Sequence, residues 1–390
     1  MRRIYLDHAA TTPCSAEAWD AMRSVALEEF GNPNSLHREG RVARERLEAA
    51  RSDIASDLGC FRDEVAFTAT GTESNNLALR GLVLGSASMG RHLITTTIEH
   101  AATINTCRQL EKEGYDVTYL PVDSQGFVVP DQMSAAIRPD TALVSFAHAN
   151  NEVGTVQHVQ ELTHAIRKKN PRTRIHIDGV QTVGHVPSQV FELDVDLLSF
   201  TAHKFYGPKG IAGLFIRRGV KLTSQLQGGG QERGLRSGTQ AVQLAVGMAV
   251  ALRSSIASIP VETKKWTSLR DDFMSQILET IGDSRLTGHP HQRLPGTASF
   301  AFLGISGEDL TLRLDRLGYA TSTGAACSTG SVDPSPALLA MGLSRSWATG
   351  SLRVSFGRAC EGASIPDIVQ AIASIVSELR STHQYGSHAA

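Results

Sequence analysis

The chain lacks paired cysteines, a charge excess and any long apolar run, and each shortage removes a class of protein. Its five cysteines, Cys14, Cys60, Cys107, Cys327 and Cys360, form no CxxC pair, and no histidine cluster stands at zinc-finger spacing. Neither a disulfide framework nor a bound metal is expected. The formal net charge is −1, from 38 Lys and Arg against 39 Asp and Glu, which gives no electrostatic case for direct contact with a nucleic acid. Two arginines open the chain, but Asp7 and His8 interrupt any signal-peptide core. The longest apolar stretch, AVQLAVGMAVAL from Ala241 to Leu252, contains Gln243 and is too short to span a bilayer. It reads as a buried core helix, and the chain reads as cytoplasmic with no membrane contact.

What is present suffices for a sizeable core: 41% of the 390 residues are hydrophobic and 20% charged, a length that suggests two or three domains. Apolar residues three or four apart between Leu36 and Leu58, stopped by Gly59, predict an amphipathic helix. EVAFTAT, HLITTT (92–97), TALVSFAH (141–148), RIHID (174–178), DLLSFTA (196–202) and IAGLFI (211–216) predict buried strands that alternate with helical segments. That pattern argues for a three-layered α/β architecture around a mostly parallel sheet. Beyond about Ile256 it changes to a smaller α+β unit. The last residues, STHQYGSHAA, are polar and small and are expected to fray.

In open α/β sheets ligands bind beyond the carboxyl ends of the strands. Residues of site type gather there: Thr72, His100, Asn151, Asp178 with Gln181, and His203 with Lys204 follow five separate strands. Singly, each has two readings. Asp178 in HIDGVQ is either a turn aspartate ahead of Gly179 or a carboxylate facing a protonated ring nitrogen. At ~3 Å and an effective dielectric of ~20 that second attraction is roughly 5 kcal/mol before desolvation. Lys204 in FTAHKFYGPKG is either a surface lysine before a Gly-Pro turn or an amine held still for Schiff-base chemistry; Lys209 reads as surface. ATGTES, with Gly71 for close approach and the Thr72 hydroxyl, is a helix start, a phosphate cradle, or both. GGGQERGLRSG fits neither GxGxxG nor GxxxxGK[ST] and is not a nucleotide loop by that test.

YLDHAATTP, FGNPNSLHREG, GTESNNLA, IEH, NNEVGTVQ, HIDGVQTVG, SFTAHKFYGPKG, GGGQERGLRSGT, GAACSTGSVDPS and SLRVSFGR, in this order, resemble cysteine desulfurases of the NifS/IscS kind, pyridoxal-phosphate enzymes of the class V aminotransferase family. The resemblance runs from about Ile4 to Arg358. It implies fold type I, with a mostly parallel seven-stranded sheet in a large domain, 15–256, and a small domain from 1–14 and 257–390 that carries the catalytic cysteine.

The same resemblance implies pyridoxal 5′-phosphate as cofactor, Lys204 as its covalent partner, Asp178 at the pyridine nitrogen and Gln181 at the ring hydroxyl. It implies a stacking and proton-moving role for His100, and a phosphate cradle of Gly71, Thr72, Thr201 and His203. Thr239 matches a phosphate contact from a second subunit, hence a homodimer. Arg353 and Asn151 match positions that hold the substrate carboxylate, and Asn151 also borders the cofactor. Cys327 in GAACSTG matches the residue that takes sulfur from L-cysteine as a persulfide and passes it to a protein acceptor, leaving L-alanine. Iron–sulfur assembly, tRNA thiolation and DNA phosphorothioation are the routes such enzymes serve. The rivals are a selenocysteine lyase, a cysteine-sulfinate desulfinase or a transaminase of the same fold, and a pyridoxal-phosphate-binding adaptor without turnover. Dependence on Cys327 separates the first group, and alanine formation the second.

Overall fold

The computed structural model describes residues 3–85, 89–324, 333–360 and 364–386. Its strands are β1 (Ile4–Tyr5), β2 (Val65–Thr68), β3 (His92–Thr96), β4 (Asp116–Leu120), β5 (Thr141–Ala147), β6 (Arg174–Asp178), β7 (Leu197–Thr201), β8 (Ala212–Ile216), β9 (Ser284–Leu286), β10 (Thr297–Phe302), β11 (Tyr319–Ala320) and β12 (Ser351–Ser355). Seven form one sheet in the order β2-β8-β7-β6-β5-β3-β4. Only β8 runs against its neighbours, so β2 is parallel to β7 across it. The other six strands therefore bring their carboxyl ends to one edge.

Alternation along the strands makes the three layers. Leu93, Leu143, Leu197 and Leu214 join the core under the helices Gly71–Gly85 and Ala101–Lys112. Their successors Ile94, Val144, Leu198 and Phe215 join the opposite core, under Arg38–Leu58, Val159–Lys169 and the start of Val242–Thr280. A strand's two-residue period sends neighbours to opposite faces, and each such side chain contributes about 1.5–3 kcal/mol by leaving water. Two histidines sit inside this sheet with both ring nitrogens satisfied: His92 between Thr141 and Thr118, and His176 between Ser145 and Ser199. The amphipathic helix expected before Gly59 spans Arg38–Leu58 and ends at Gly59, whose φ of 70° closes the helix in the left-handed conformation.

A second core lies around the antiparallel sheet β12-β10-β9 and the helix Ile365–Gly386. The helix Val242–Thr280 is common to both cores. Val242, Ala245, Met248 and Leu252 pack on the large sheet, whereas Trp266, Phe273 and Ile277 pack on the small one. The helix is long and apolar enough to cross a membrane by length and composition, but this apolar face is spent on the two cores. It continues through Pro260, past the point where the sequence pattern changes. Of the C-terminal segment expected to fray, 381–386 continue the helix, with the Ser381 and Thr382 hydroxyls donating to the Glu378 carbonyl, and 387–390 lie outside the described residues.

Leu6 is buried in the small core, and the chain then crosses to the carboxyl edge of the large sheet. Thr12 donates to the His203 carbonyl from its amide (2.8 Å) and its hydroxyl (2.9 Å), while that hydroxyl accepts from the Tyr206 amide at 2.7 Å. This crossing lays a stretch of backbone over the turn after β7.

Candidate active site

The turn after β7 holds Lys204 on a short 3-10 segment, Ala202–Lys204. The Lys204 amine donates to the carbonyls of Ala9 (2.6 Å) and Ala10 (2.8 Å), and Gln181 Nε2 donates to the same Ala9 oxygen at 3.1 Å. From the other side, His185 Nε2 meets the Lys204 carbonyl at 2.8 Å. Lys204 is half-buried, and Lys209 in the same loop is exposed. An amine fixed this way is presented in one place, as covalent chemistry with a carbonyl requires.

Asp178 ends β6 and is buried. Its carboxylate accepts from Asn75 Nδ2 at 2.6 Å and from the Val180 amide at 3.0 Å. Each oxygen thus takes one donor and keeps a further lone pair. Asn75 lies on the helix Gly71–Gly85, so the carboxylate is tied to the helix whose first residues are Gly71 and Thr72. That helix opens on a reciprocal cap, in which Thr70 Oγ1 accepts from the Glu73 amide (3.1 Å) and Glu73 accepts from the Ala69 amide (2.9 Å). A Cβ on Gly71 would stand 2.8 Å from Val180 Cγ2 and 3.7 Å from Thr201 Cγ2. Glycine thus lets the helix start close onto β6 and β7. Thr72 is exposed at this edge.

Thr201 is buried and its hydroxyl donates to the Ile211 carbonyl at 3.2 Å. His203 Nδ1 meets Thr11 Oγ1 at 3.1 Å. Desolvation, helped by the charges of Lys204 and Lys209, pushes the His203 pKa down to about 4, so its ring is neutral at pH 7.

His100 caps the helix Ala101–Lys112, its Nδ1 accepting from the Ala102 amide at 3.1 Å. The ring stands between two clefts. One, of ≈ 600 Å³, runs past Thr72 and Asn76; the other, of ≈ 530 Å³, is bordered by Glu99, Asn151, Glu152 and Gly324. Burial pushes the Glu99 carboxyl up to about 8, with the Asp178 charge adding to the shift. Glu99 accepts from the Thr96 hydroxyl through Oε1, and its Oε2 is buried without a partner among the described residues.

Arg353, on β12, reaches from the small core to the edge of this second cleft. Its guanidinium donates to the Asn151 carbonyl at 2.6 Å and to Asp7 Oδ1 at 2.7 Å, and its buried Nε has no partner among the described residues. An unmet buried donor beside Asn151 suits a small anion.

Lys204, Gln181, Asp178, Gly71, Thr72, Thr201, His203, His100, Asn151 and Arg353 thus lie along one edge of the fold. Thr239 stands apart, exposed on the segment before the long helix. Cys327 lies outside the described residues. The chain's other partners at this edge carry no assigned role in the sequence reading: Ala9, Ala10, Asp7, Asn75 and Glu99. Asn75, Asp7 and Glu99 are inside quoted motifs (GTESNNLA, YLDHAATTP, IEH), which is the signal that could have found them. The two alanines act through backbone carbonyls, which no residue type announces.

The class-V aminotransferase family matches residues 4–366. The cysteine desulfurase IscS of Dictyoglomus turgidum is 42% identical over 384 residues, 98% of this chain and 97% of that relative. Among solved structures, a NifS-like protein superposes with a TM-score of 0.90 at 37% identity, covering 96% of this chain and all of that one (100%). SspA in complex with cysteine superposes at 0.78 and 32% identity, over 90% of this chain and 98% of that one. With the geometry of the edge and these likenesses together, the chain belongs to the class-V aminotransferase family and, within it, to the NifS/IscS-type cysteine desulfurases.

Proposed function

We propose that this chain converts L-cysteine to L-alanine, using pyridoxal 5′-phosphate, and captures the sulfur as a persulfide on Cys327. The observation that carries the reading is the donor set at the sheet edge: one fixed amine, one buried carboxylate with two donors, one amide, and a helix start closed tightly by Gly71. That set fits an aldehyde, a protonated ring nitrogen, a ring hydroxyl and a phosphate. Lys204, Asp178, Gln181 and the cradle of Gly71, Thr72, Thr201 and His203 would hold the cofactor, with His100 over its ring and Asn151 at its border. When bound, it supplies an electrophilic carbon for amines and a ring that spreads the charge left when a proton leaves the α-carbon.

The residues themselves do the rest. Arg353, oriented by Asp7 and the Asn151 carbonyl, binds the substrate carboxylate with the Asn151 side chain. Lys204, released from Ala9 and Ala10, removes the α-proton. His100, with Nδ1 engaged by the Ala102 amide, delivers a proton to the product side. Cys327 attacks the substrate sulfur: its S–S bond forms as the substrate Cβ–S bond breaks, and the β-carbon gains a hydrogen. The substrate carbon is reduced and the thiol sulfur oxidised, so no outside oxidant is needed. Thr201 must turn from Ile211 before its hydroxyl can donate to a phosphate.

We also read the active form as a homodimer in which Thr239 completes the phosphate site of the other copy. We read the chain as cytoplasmic, with a protein as sulfur acceptor and no direct nucleic-acid contact. The test is a visible absorbance spectrum of the cofactor-loaded protein before and after L-cysteine, with alanine measured in the same tube. A band that shifts as alanine forms supports the reading. A protein that takes up no cofactor, or makes no alanine, overturns it.

A further inference from the structure

We propose that two ion pairs, Arg51–Glu232 and Arg236–Glu73, hold the segment from Gly228 to Thr239 as a fixed arm that presents Thr239 to a second copy of this chain. This rests on the homodimer reading above and assigns the residues that make the trans contact possible.

The arm is anchored far more firmly than an exposed loop needs. Arg51 grips Glu232 with two bonds, 2.6 and 2.9 Å, between side chains only 3% and 1% exposed. Glu232 also accepts from the Phe67 amide (2.8 Å) and from Gln240 (3.3 Å), while Arg51 donates to the Val65 carbonyl (3.0 Å) and lies over the Phe67 ring. The carboxylate is thus fastened to β2, next to the edge where that strand delivers Gly71 and Thr72. The second tie reaches the cradle helix itself: Arg236 Nε donates to Glu73 Oε1 at 3.0 Å, and Glu73's other oxygen caps Ala69.

The backbone between the ties is strained. Glu232 and Arg233, neither a glycine, sit consecutively at φ 50° and 57°. Such a pair persists only when its surroundings over-determine it, and it concentrates where a precise placement is used. Gln231 then accepts from the Gly238 amide at 2.8 Å, fixing the residue before Thr239. Thr239 itself is exposed, and apolar residues beside the arm are exposed with it. Leu226, whose carbonyl accepts from the Ser237 amide, is 48% exposed; Phe30 and Leu36, flanking the Asn34 that donates to Gln240, are 75% and 84% exposed. A rigid polar tip inside an apolar surround fits a face closed by another protein, and a twofold pair places each copy's arm against the other.

Three variants and one mixing experiment test this. Glu232→Gln keeps the shape of the anchor, and Arg236→Ala breaks the partly exposed tie without burying a charge, so it guards against a folding failure in the first. Both, and Thr239→Ala with them, are expected to lower pyridoxal-phosphate affinity by about tenfold or more, with an unchanged circular dichroism spectrum. In the mixture, Glu232→Gln chains are dissociated and reassociated with Lys204→Ala chains, cofactor is added, and borohydride trapping is read by mass. Only a mixed dimer joins an intact Lys204 to an intact arm, so trapped cofactor should return to the Glu232→Gln chain at about one site in four of the wild-type total. No return would mean that the loss acts inside its own subunit and overturns the proposal. So would Glu232→Gln and Arg236→Ala proteins that hold cofactor as wild type while Thr239→Ala does not. A wild-type protein that sediments as a monomer, or a Thr239→Ala protein with full affinity, locates the failure in the homodimer reading beneath it.

Discussion

The amine of Lys204 donates to the backbone carbonyl of Ala9 at 2.6 Å, from 195 residues further along the chain. The N-terminal crossing is thereby a clamp on the residue proposed to bind cofactor. Arginine can donate to the same carbonyls but stays protonated and cannot act as a nucleophile. Lys204→Arg is expected to keep stability within about 1 kcal/mol of wild type in urea unfolding and to lose alanine formation by roughly three orders of magnitude or more. A variant that keeps activity contradicts the role of Lys204.

Asp7 takes the guanidinium of Arg353 on one side while the Asn151 carbonyl takes it on the other. Asp7→Asn keeps an acceptor but removes the charge that orients Arg353. The expected change is a rise in KM for cysteine of about tenfold, some 1.4 kcal/mol, with a smaller change in kcat. Steady-state kinetics over a range of cysteine concentrations separates the two. A fall in kcat alone would move Asp7 out of substrate binding.

These two relationships mark where sequence reading stops. The strand ends carrying His100, Asp178 and Lys204 were legible because apolar runs and turn residues frame them, and parallel strands bring such ends to one edge. The partners were not, because Ala9 and Ala10 contribute only backbone and Asp7 lies far away in the chain. The edge strand β4 escaped for another reason: DVTYL is mostly part-exposed, with Asp116 in water, and lacks the continuous apolar run of its neighbours. The long helix hid its second half because its apolar face changes cores at midlength. Thr239 was reached only through resemblance, since nothing in its local pattern marks it.

Stability should depend on pH through two opposed sets of groups. Burial pushes His8 and His148 down to about 4 and His176 to about 3. The unfolded chain takes up these protons below pH 6.5 while the fold refuses them, so stability falls as pH drops from 6.5 towards 4. Glu99 has the opposite sign. Its acid form is favoured in the fold, so its contribution is full below 4.5 and is lost as pH rises through about 8. For the fully buried His148 and His176 the slope is at most about 1.4 kcal/mol per pH unit each. Urea unfolding between pH 4 and 9 should show a maximum near pH 6 to 7, and Glu99→Gln should flatten the alkaline side. An unchanged alkaline slope in that variant would contradict the assignment of Glu99.

The chain's other thiols bear on the central claim. Burial pushes Cys60 and Cys107 up to about 12 and Cys360 to about 11, and raises the exposed Cys14 as well. A protonated thiol is a poor nucleophile, so none of the four should take sulfur from the substrate. The most direct measurement is to treat the cofactor-loaded protein with one equivalent of L-cysteine, alkylate it, and map the extra sulfur atom by mass while counting alanine. The account predicts sulfur on the peptide containing Cys327, with one alanine for each persulfide, and none of either in Cys327→Ser beyond background. Alanine formed at the native rate by Cys327→Ser, or sulfur found on Cys14, Cys60, Cys107 or Cys360, would contradict it.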